Sequence, residues 1–210
     1  ERDTLADVVA HTLHAAPKAD ILIIDDASPD GTGHIADELA ANSSRVHVQH
    51  RSGKLGLGTA YVQGFHTAIA DGYRFAVEMD SDGSHLPEEL PQLITAARAG
   101  ADLVIGARWV PGGRIKGWPV HRRIISRTGT AVARIALRSR LRDITSGFRV
   151  FDTEWLRRIN FARITSQGYG FQVEVAWLLE RSGCTIAEVP ITFVERTGGT
   201  SKMSLGIVLE

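Results

Sequence analysis

Cysteine is almost absent from this chain of 210 residues. Cys184 stands alone, so no intramolecular disulfide can form, which suits a reducing compartment. No apolar run approaches the ~20 residues that a membrane-spanning helix needs. No signal peptide opens the chain, which starts abruptly on polar residues at Glu1. The eight histidines are scattered without the spacing of zinc ligands. His11 and His14 share a helix face and read as surface residues, and Cys184 reads as a core thiol. A further absence is local. From Leu103 to Arg142 there is no Asp or Glu, while ten Arg or Lys residues fall in the same stretch. Net charge over the chain is zero. A neutral chain with one cationic block calls for an anionic partner at one face.

What is present suits one sizeable α/β domain. Hydrophobic residues make up 43% and charged residues 23%, as in ordinary soluble proteins, and the length supports a substantial core. Leu5, Val8, Val9 and Leu13 predict a helix over 3–15. Ile21 to Ile24 reads as a strand, followed by a helix to about Ala41 and a short strand at Val46 and Val48. Gly53 to Gly58 leads into a helix through Ala70. A strand from Phe75, a helix from Pro87 to Arg98 and a strand from Leu103 to Ile105 complete an alternating first half, which predicts a mostly parallel sheet flanked by helices. In the second half, residues 109–120 read as a mobile loop, and a basic helix is expected from about Arg122 to Arg140. Phe148 to Phe151 reads as a strand. Phe171, Val175, Leu178 and Leu179 form a helical stripe, and Ile186 to Val194 reads as one strand.

The stretch that carries most chemistry is Phe75 to His85. An apolar run ends in Asp80 and Asp82, with Gly83 next. Residues two apart on an extended chain point the same way, so both carboxylates can face one side at the strand's carboxyl end, where open α/β sheets bind ligands. Two hard oxygen donors there suit Mg2+ or Mn2+ with a substrate phosphate; an Asp-rich turn is the alternative on this segment alone. Asp25 and Asp26 close an earlier strand in the same manner. Two acidic strand ends sharing an edge need a cation or hydrogen-bond donors, although one of the pair at 25–26 can instead cap the next helix. The Gly53–Gly58 loop lacks the order of a P-loop or a Rossmann fingerprint. Near the end, Arg196 and Lys202 place two cations on a glycine-containing loop able to close over an anion. The basic helix carries Ile, Val and Leu on its other side and can lie at a membrane surface.

Taken in order, these segments resemble a known family. Asp25-Asp26-Ala27-Ser28-Pro29-Asp30-Gly31-Thr32 and Met79-Asp80-Ser81-Asp82-Gly83-Ser84-His85 are similar to the two acidic motifs of family-2 glycosyltransferases with the GT-A fold. Arg51 to Gly58, Gly106 to Trp109, Thr145 to Arg149, Tyr169 to Glu174 and Arg196-x-x-Gly199-x-Ser201-Lys202 narrow the resemblance to the polyprenol (dolichol) monophosphate mannose synthases within that family. It spans nearly the whole chain. The family's opening strand, ending Pro-x-Tyr-Asn-Glu, is expected to precede this sequence, with Glu1 as its last residue and part of the nucleotide pocket beyond it. The Gln-x-x-Arg-Trp motif of processive polysaccharide synthases is absent, which implies transfer of a single sugar.

The resemblance implies a single GT-A catalytic domain over 1–210, with a donor- and metal-binding half at 1–106 and an acceptor-binding half at 107–210. It implies transfer of mannose from GDP-mannose to a polyprenyl (dolichyl) phosphate with inversion. Asp80 and Asp82 would bind Mg2+ or Mn2+, with Ser84, where some relatives carry Gln, or a water as third ligand. The donor would be held by Glu1, Ile24, Asp26, Lys54, Asp80, Ser81 and Asp82 together with Arg196 and Lys202. The acceptor phosphate would be held by Arg108, Arg122 and Ser126. Asp82, Arg108, Arg196 and Lys202 would carry catalysis. An acceptor phosphate is already anionic, so no strong general base is required. The lipid implies a peripheral position at the cytoplasmic face of a membrane, through the basic helix or a fused or separate membrane domain, and no nucleic-acid partner. Three rival readings stand beside this one: a related transferase using UDP-glucose, a haloacid-dehalogenase-type phosphatase with Asp80 as nucleophile, and a nucleic-acid module.

Overall fold

The computed structural model describes residues 1–166 and 168–195 of the chain. Helix α1 (Leu5–Ala15) buries Leu5, Val8, Val9 and Thr12, the one-sided spacing that makes a helix amphipathic. Strand β1 (Ile21–Asp25), α2 (Thr32–Asn42), β2 (Val46–His50), α3 (Leu57–Ala70), β3 (Phe75–Glu78), α4 (Leu90–Arg98) and β4 (Leu103–Ala107) follow in alternation. The second half holds β5 (Arg114–Lys116), α5 (Val120–Leu137), β6 (Arg149–Asp152), the single turn α6 (Thr153–Leu156), α7 (Tyr169–Arg181), β7 (Ile186–Pro190) and β8 (Thr192–Val194).

Strands β1 and β2 pair in parallel, as do β4 with β7 and β5 with β8; β6 runs antiparallel between β3 and β4. The α/β, mostly parallel architecture expected from the alternation is therefore present, with β6 as the inverted strand. Every residue of β4 is buried, as expected of a strand covered on both faces. Leu103 and Ile105 face one side and pack with Phe65, Phe151, Phe171 and Leu179. Val104 faces the other and packs with Leu90, Leu93 and Phe148. Cys184 is buried in the first of these clusters, and burial pushes its thiol up to about 12, consistent with a core thiol. His11 and His14 are exposed, as expected, and His11 meets Glu88 at 3.0 Å.

Four expectations change. Residues 109–120 are not a free loop, because β5 lies within them and pairs with β8. Gly113 is what lets the chain turn there: a Cβ at that position would lie 2.5 Å from the Arg108 carbonyl oxygen. The basic helix ends at Leu137, with Arg138 left-handed at φ 52°, so Arg140 lies beyond it. The strand read from Ile186 to Val194 is two strands, broken at the buried Ile191. Finally, β1 and β3 belong to separate sheets among the described residues, so the two acidic strand ends are not joined by a shared ladder.

Candidate active site

Strand β3 ends on Glu78, and Asp80 and Asp82 stand in the turn just past it. That turn is held from three sides. From the interior, the Asp80 backbone N–H donates to His85 Nδ1 at 3.1 Å. His85 is fully buried between Phe148, stacked at 5.1 Å, and Phe193, edge-on at 5.4 Å. Burial lowers its pKa, so the ring is neutral and Nδ1 can accept. From the start of the chain, Thr4 Oγ1 donates to the Ser81 carbonyl at 2.8 Å. From β8, the Val194 N–H donates to the Ser84 carbonyl at 3.0 Å. Gly83 takes φ +78°, a left-handed conformation that favours glycine.

The turn reading of Asp80-Ser81-Asp82 is realised, and the turn leaves both acidic side chains within reach of a ligand. Asp82 Oδ1 accepts the Ser84 N–H at 2.9 Å, as an Asp in a turn does. Both carboxylates remain partly exposed. Ser84 Oγ is buried with no hydrogen-bond partner among the described residues, which is costly for a hydroxyl unless a ligand completes it. Two carboxylates and an unsatisfied hydroxyl close in sequence are oxygen donors of the kind that Mg2+ or Mn2+ takes together with substrate phosphates. No cluster of three or more His, Cys, Asp or Glu side chains suited to a metal occurs among the described residues, so any such ion here would lean on Ser84, water or substrate for its remaining ligands.

Asp25 and Asp26 separate in role. Asp25 is buried and accepts the Ser28 N–H and a hydrogen bond from His50 at 3.2 Å each. Burial opposes its charge, yet these bonds outweigh that and lower its pKa. The same contact and a 2.8 Å contact to Asp37 raise the pKa of His50. Asp26 pairs with the buried Arg51 guanidinium. Arg51 also donates to Thr59 Oγ1 at 2.6 Å and to the Gly56 carbonyl at 3.2 Å, so it fastens the glycine loop to the acidic motif. Neither acid caps α2, whose N-cap is Gly31; Asp30, one residue earlier, accepts the Thr32 N–H and hydroxyl. Helix α3 then links the two acidic strand ends, since Thr59 meets Arg51 and Tyr61 OH reaches Asp80 at 3.4 Å. Ile24 is partly exposed, and Glu1 and Lys54 are exposed.

On the other side of the turn, Arg108 is buried and bidentate on Asp143, at 2.7 and 2.9 Å, with Thr145 Oγ1 at 2.9 Å. Burial works against its charge, but Asp143 overcomes this and raises its pKa. Arg122, Ser126 and Thr130 recur four residues apart on α5 and so share one stripe. The Thr130 hydroxyl meets Thr145 at 3.1 Å, which joins that stripe to Arg108. Arg122 lies over Trp118 at 4.2 Å and pairs with Glu195 at 2.9 Å. Phe193 is the hub: it touches His85 and Trp118, and the Arg108 guanidinium lies 5.4 Å from its ring. Phe193 thus links the acidic turn, through His85, to Arg108 directly and to Arg122 through Trp118. Arg196 and Lys202 lie outside the described residues.

Residues 1–160 match the sequence profile of the family described as "Glycosyl transferase family 2". The chain belongs to this family. A polyprenol monophosphomannose synthase from Mycolicibacterium smegmatis is 49% identical over 205 residues, covering 97% of this chain and 77% of that protein. An undecaprenyl-phosphate mannosyltransferase from Micrococcus luteus is 51% identical over 210 residues, covering 100% of this chain and 86% of its own. In fold, this family-2 glycosyltransferase is similar to glucosyl-3-phosphoglycerate synthase from Mycobacterium tuberculosis, solved with Mn2+, UDP-glucose and phosphoglyceric acid. The TM-score is 0.64 at 21% identity, covering 95% of this chain and 69% of that one. Membership in a glycosyltransferase family replaces the phosphatase and nucleic-acid readings.

Several residues of the site were not singled out from the sequence. His85 was inside the quoted acidic motif but without a role. Asp143 is the acid that closes the acid-free stretch, and the fold pairs it with Arg108, the first base within that stretch. Arg149 and Glu78 carried no role in the sequence either. They are register partners on β6 and β3, and Arg149 donates to the carbonyls of Ile144, Ser146 and Gln172 at 2.6–2.7 Å. It thereby fixes the loop that presents Asp143.

Glu78 carries a pH signature. Burial raises its pKa from 4.5 to about 7, against the pull of Arg149 and a 2.9 Å bond from Gln172 Nε2. Between those two values the folded chain holds more protons than the unfolded one, so stability falls as pH rises through the interval and levels off above it. Glu78→Gln cannot ionise and should gain on the parent chain between about pH 5 and about pH 8. Urea unfolding at both pH values reads this out; a difference that does not change with pH would contradict the assignment.

Proposed function

We propose that this glycosyltransferase moves mannose from GDP-mannose to a polyprenyl phosphate, with inversion at the anomeric carbon. The observation that carries the reading is that His85, which holds the Asp80 turn, and the Arg108 guanidinium both lie against Phe193, which would set a nucleoside diphosphate beside a phosphate acceptor. The names of the relatives near 50% identity support the sugar and the class of acceptor. One non-bridging oxygen of the acceptor phosphate attacks the anomeric carbon, the bond from that carbon to the diphosphate breaks, and GDP leaves with the electron pair. Asp80, Asp82 and Ser84 would hold Mg2+ or Mn2+, which offsets charge developing on the leaving diphosphate as a Lewis acid. Asp26, Ile24, Lys54, Ser81 and Glu1 would contact the donor, within a half formed by residues 1–106. Arg108, Arg122 and Ser126 would hold the acceptor phosphate, arginine being suited to two-point contact. Arg196 and Lys202, which follow β8 in sequence, are assigned to the diphosphate by the motif alone.

The acceptor's polyprenyl chain stays in a bilayer, so the site must reach it. Among the described residues no helix is long and apolar enough to cross a membrane. Helix α5 instead exposes Val120, Ile124, Ile125, Val132 and Ile135, the last at 78%. Such a face beside arginines suits the interface of an anionic bilayer. Ile124→Asp with Ile135→Asp should weaken co-sedimentation with polyprenyl-phosphate vesicles by about tenfold or more; unchanged binding would remove α5 from the docking role. The function itself is tested by offering GDP-mannose and UDP-glucose with polyprenyl phosphate, with and without Mg2+ or Mn2+. Metal-dependent mannosyl transfer is expected, and glucosyl transfer alone would sink the donor assignment.

A further inference from the structure

The acceptor arginines leave much of the cationic block without a task. Three of its members, Arg127 and Arg134 of α5 and Arg142 beyond it, line a recess of about 180 Å³ together with Trp109, Thr130 and Ala131. Arg127 lies over Trp109 at 6.0 Å. A second recess of about 260 Å³ shares Trp109 and Arg127 with the first and contains Arg108, Arg114 and Arg123. The two are neighbours with a shared wall, and only the second includes an arginine assigned to the acceptor.

The first recess lacks what its chemistry requires. Among the described residues none of Arg127, Arg134 and Arg142 has a carboxylate within ion-pair distance. Asp143, next to Arg142, is taken by Arg108, and Glu188 accepts the backbone N–H groups of Arg142 and Asp143. Two of the lining residues also carry buried donors without acceptors among the described residues, Trp109 Nε1 and Arg134 Nε. Clustered like charges repel, and each unsatisfied buried donor destabilises the fold. A single group with several anionic oxygens relieves both. A carboxylate offers two such oxygens and a phosphate three or more, and guanidinium forks match phosphate oxygens in pairs.

Position on the helix supports the same ligand. At 100° per residue, Arg123, Arg127 and Arg134 fall on one flank of α5, between the exposed arc of Val120, Ile124 and Ile135 and the buried Thr130. The recess therefore opens where the apolar face of the helix gives way to the body of the protein.

We propose that the recess of Trp109, Arg127, Arg134 and Arg142 is a second phosphate-binding site, separate from the one that holds the acceptor. Its ligand is a phosphate group, supplied either by a phospholipid headgroup or by free phosphate. The full chain is titrated with inorganic phosphate by calorimetry at low ionic strength. In parallel it is sedimented with vesicles of phosphatidylglycerol in phosphatidylcholine and with phosphatidylcholine alone. Arg134→Gln with Arg142→Gln should weaken binding to at least one probe by about tenfold or more, while Arg114→Gln in the neighbouring recess leaves that binding in place. Loss confined to the inorganic phosphate titration identifies free phosphate as the source, and loss confined to the phosphatidylglycerol vesicles identifies the headgroup. Equal binding of the double variant and the parent chain to both probes would overturn the site. So would no binding by the parent chain, or full recovery in Arg134→Lys with Arg142→Lys, since lysine keeps the charge but not the fork. Failure of vesicle docking through α5 would leave the calorimetric result untouched, which separates this site from the docking role.

Discussion

Asp82→Ala should lower sugar transfer by about 10²–10³-fold or more, the range seen when a group that stabilises developing charge is removed. The side chain does two things. It accepts the Ser84 N–H at 2.9 Å, and it would offer a carboxylate oxygen to the ion that binds the diphosphate. Asp82→Asn separates them, because the amide oxygen can still accept from Ser84 while the charge is gone. Both variants should fold, since the side chain is only partly buried and the turn keeps its bonds from His85, Thr4 and Val194. Initial rates across a range of Mg2+ or Mn2+ concentrations check the point. Full metal-dependent activity in Asp82→Ala would reject the carboxylate as a ligand, and full activity in Asp82→Asn alone would reduce it to a turn residue.

The second large effect falls on stability. Asp143→Ala leaves the buried Arg108 guanidinium without its counter-charge, and breaking a buried pair from one side typically costs about 3–5 kcal/mol. For a chain of this length that lowers the melting temperature by about 10 °C. Arg108 would also lose the fork that aims it past Phe193, so the acceptor KM should rise. Replacing both partners by apolar residues, Arg108→Met with Asp143→Leu, should recover much of the stability and none of the transfer. Thermal unfolding of the single and double variants, followed by acceptor titration, decides this. A melting temperature unchanged in Asp143→Ala would show that Arg108 does not depend on the pair.

Much of the architecture was legible because it follows from short-range rules. The alternation of apolar strands with helical stripes predicted every element of the first half to within a few residues, and the burial of β4 follows from its unbroken apolar run. The misreadings share a cause. Arg114 to Lys116 has no apolar periodicity of its own and is a strand only because β8 lies beside it. The break at Ile191 depends on its side chain being needed in the core beside β4. The end of α5 at Leu137 sits within a run of arginines that gives no stop signal, and the left-handed residue there is Arg138 rather than glycine.

The site divides in the same way. The acidic motifs, the glycine after Asp82, the acid-free basic stretch and the order of the motifs were all in the sequence, because carboxylates at strand ends and clustered arginines announce their chemistry locally. Which partner each one takes was not. The sequence set Asp25 and Asp26 side by side as equals, and only the fold turns one inward to His50 and gives the other to Arg51. The sequence offered ten basic residues without distinction, and only the fold gives Asp143 to Arg108, Glu195 to Arg122, and no carboxylate to Arg127, Arg134 or Arg142 among the described residues. Local composition determines which charges a chain has. Contacts across 35 and 73 residues of sequence determine which of them are already neutralised and which are left to bind a ligand.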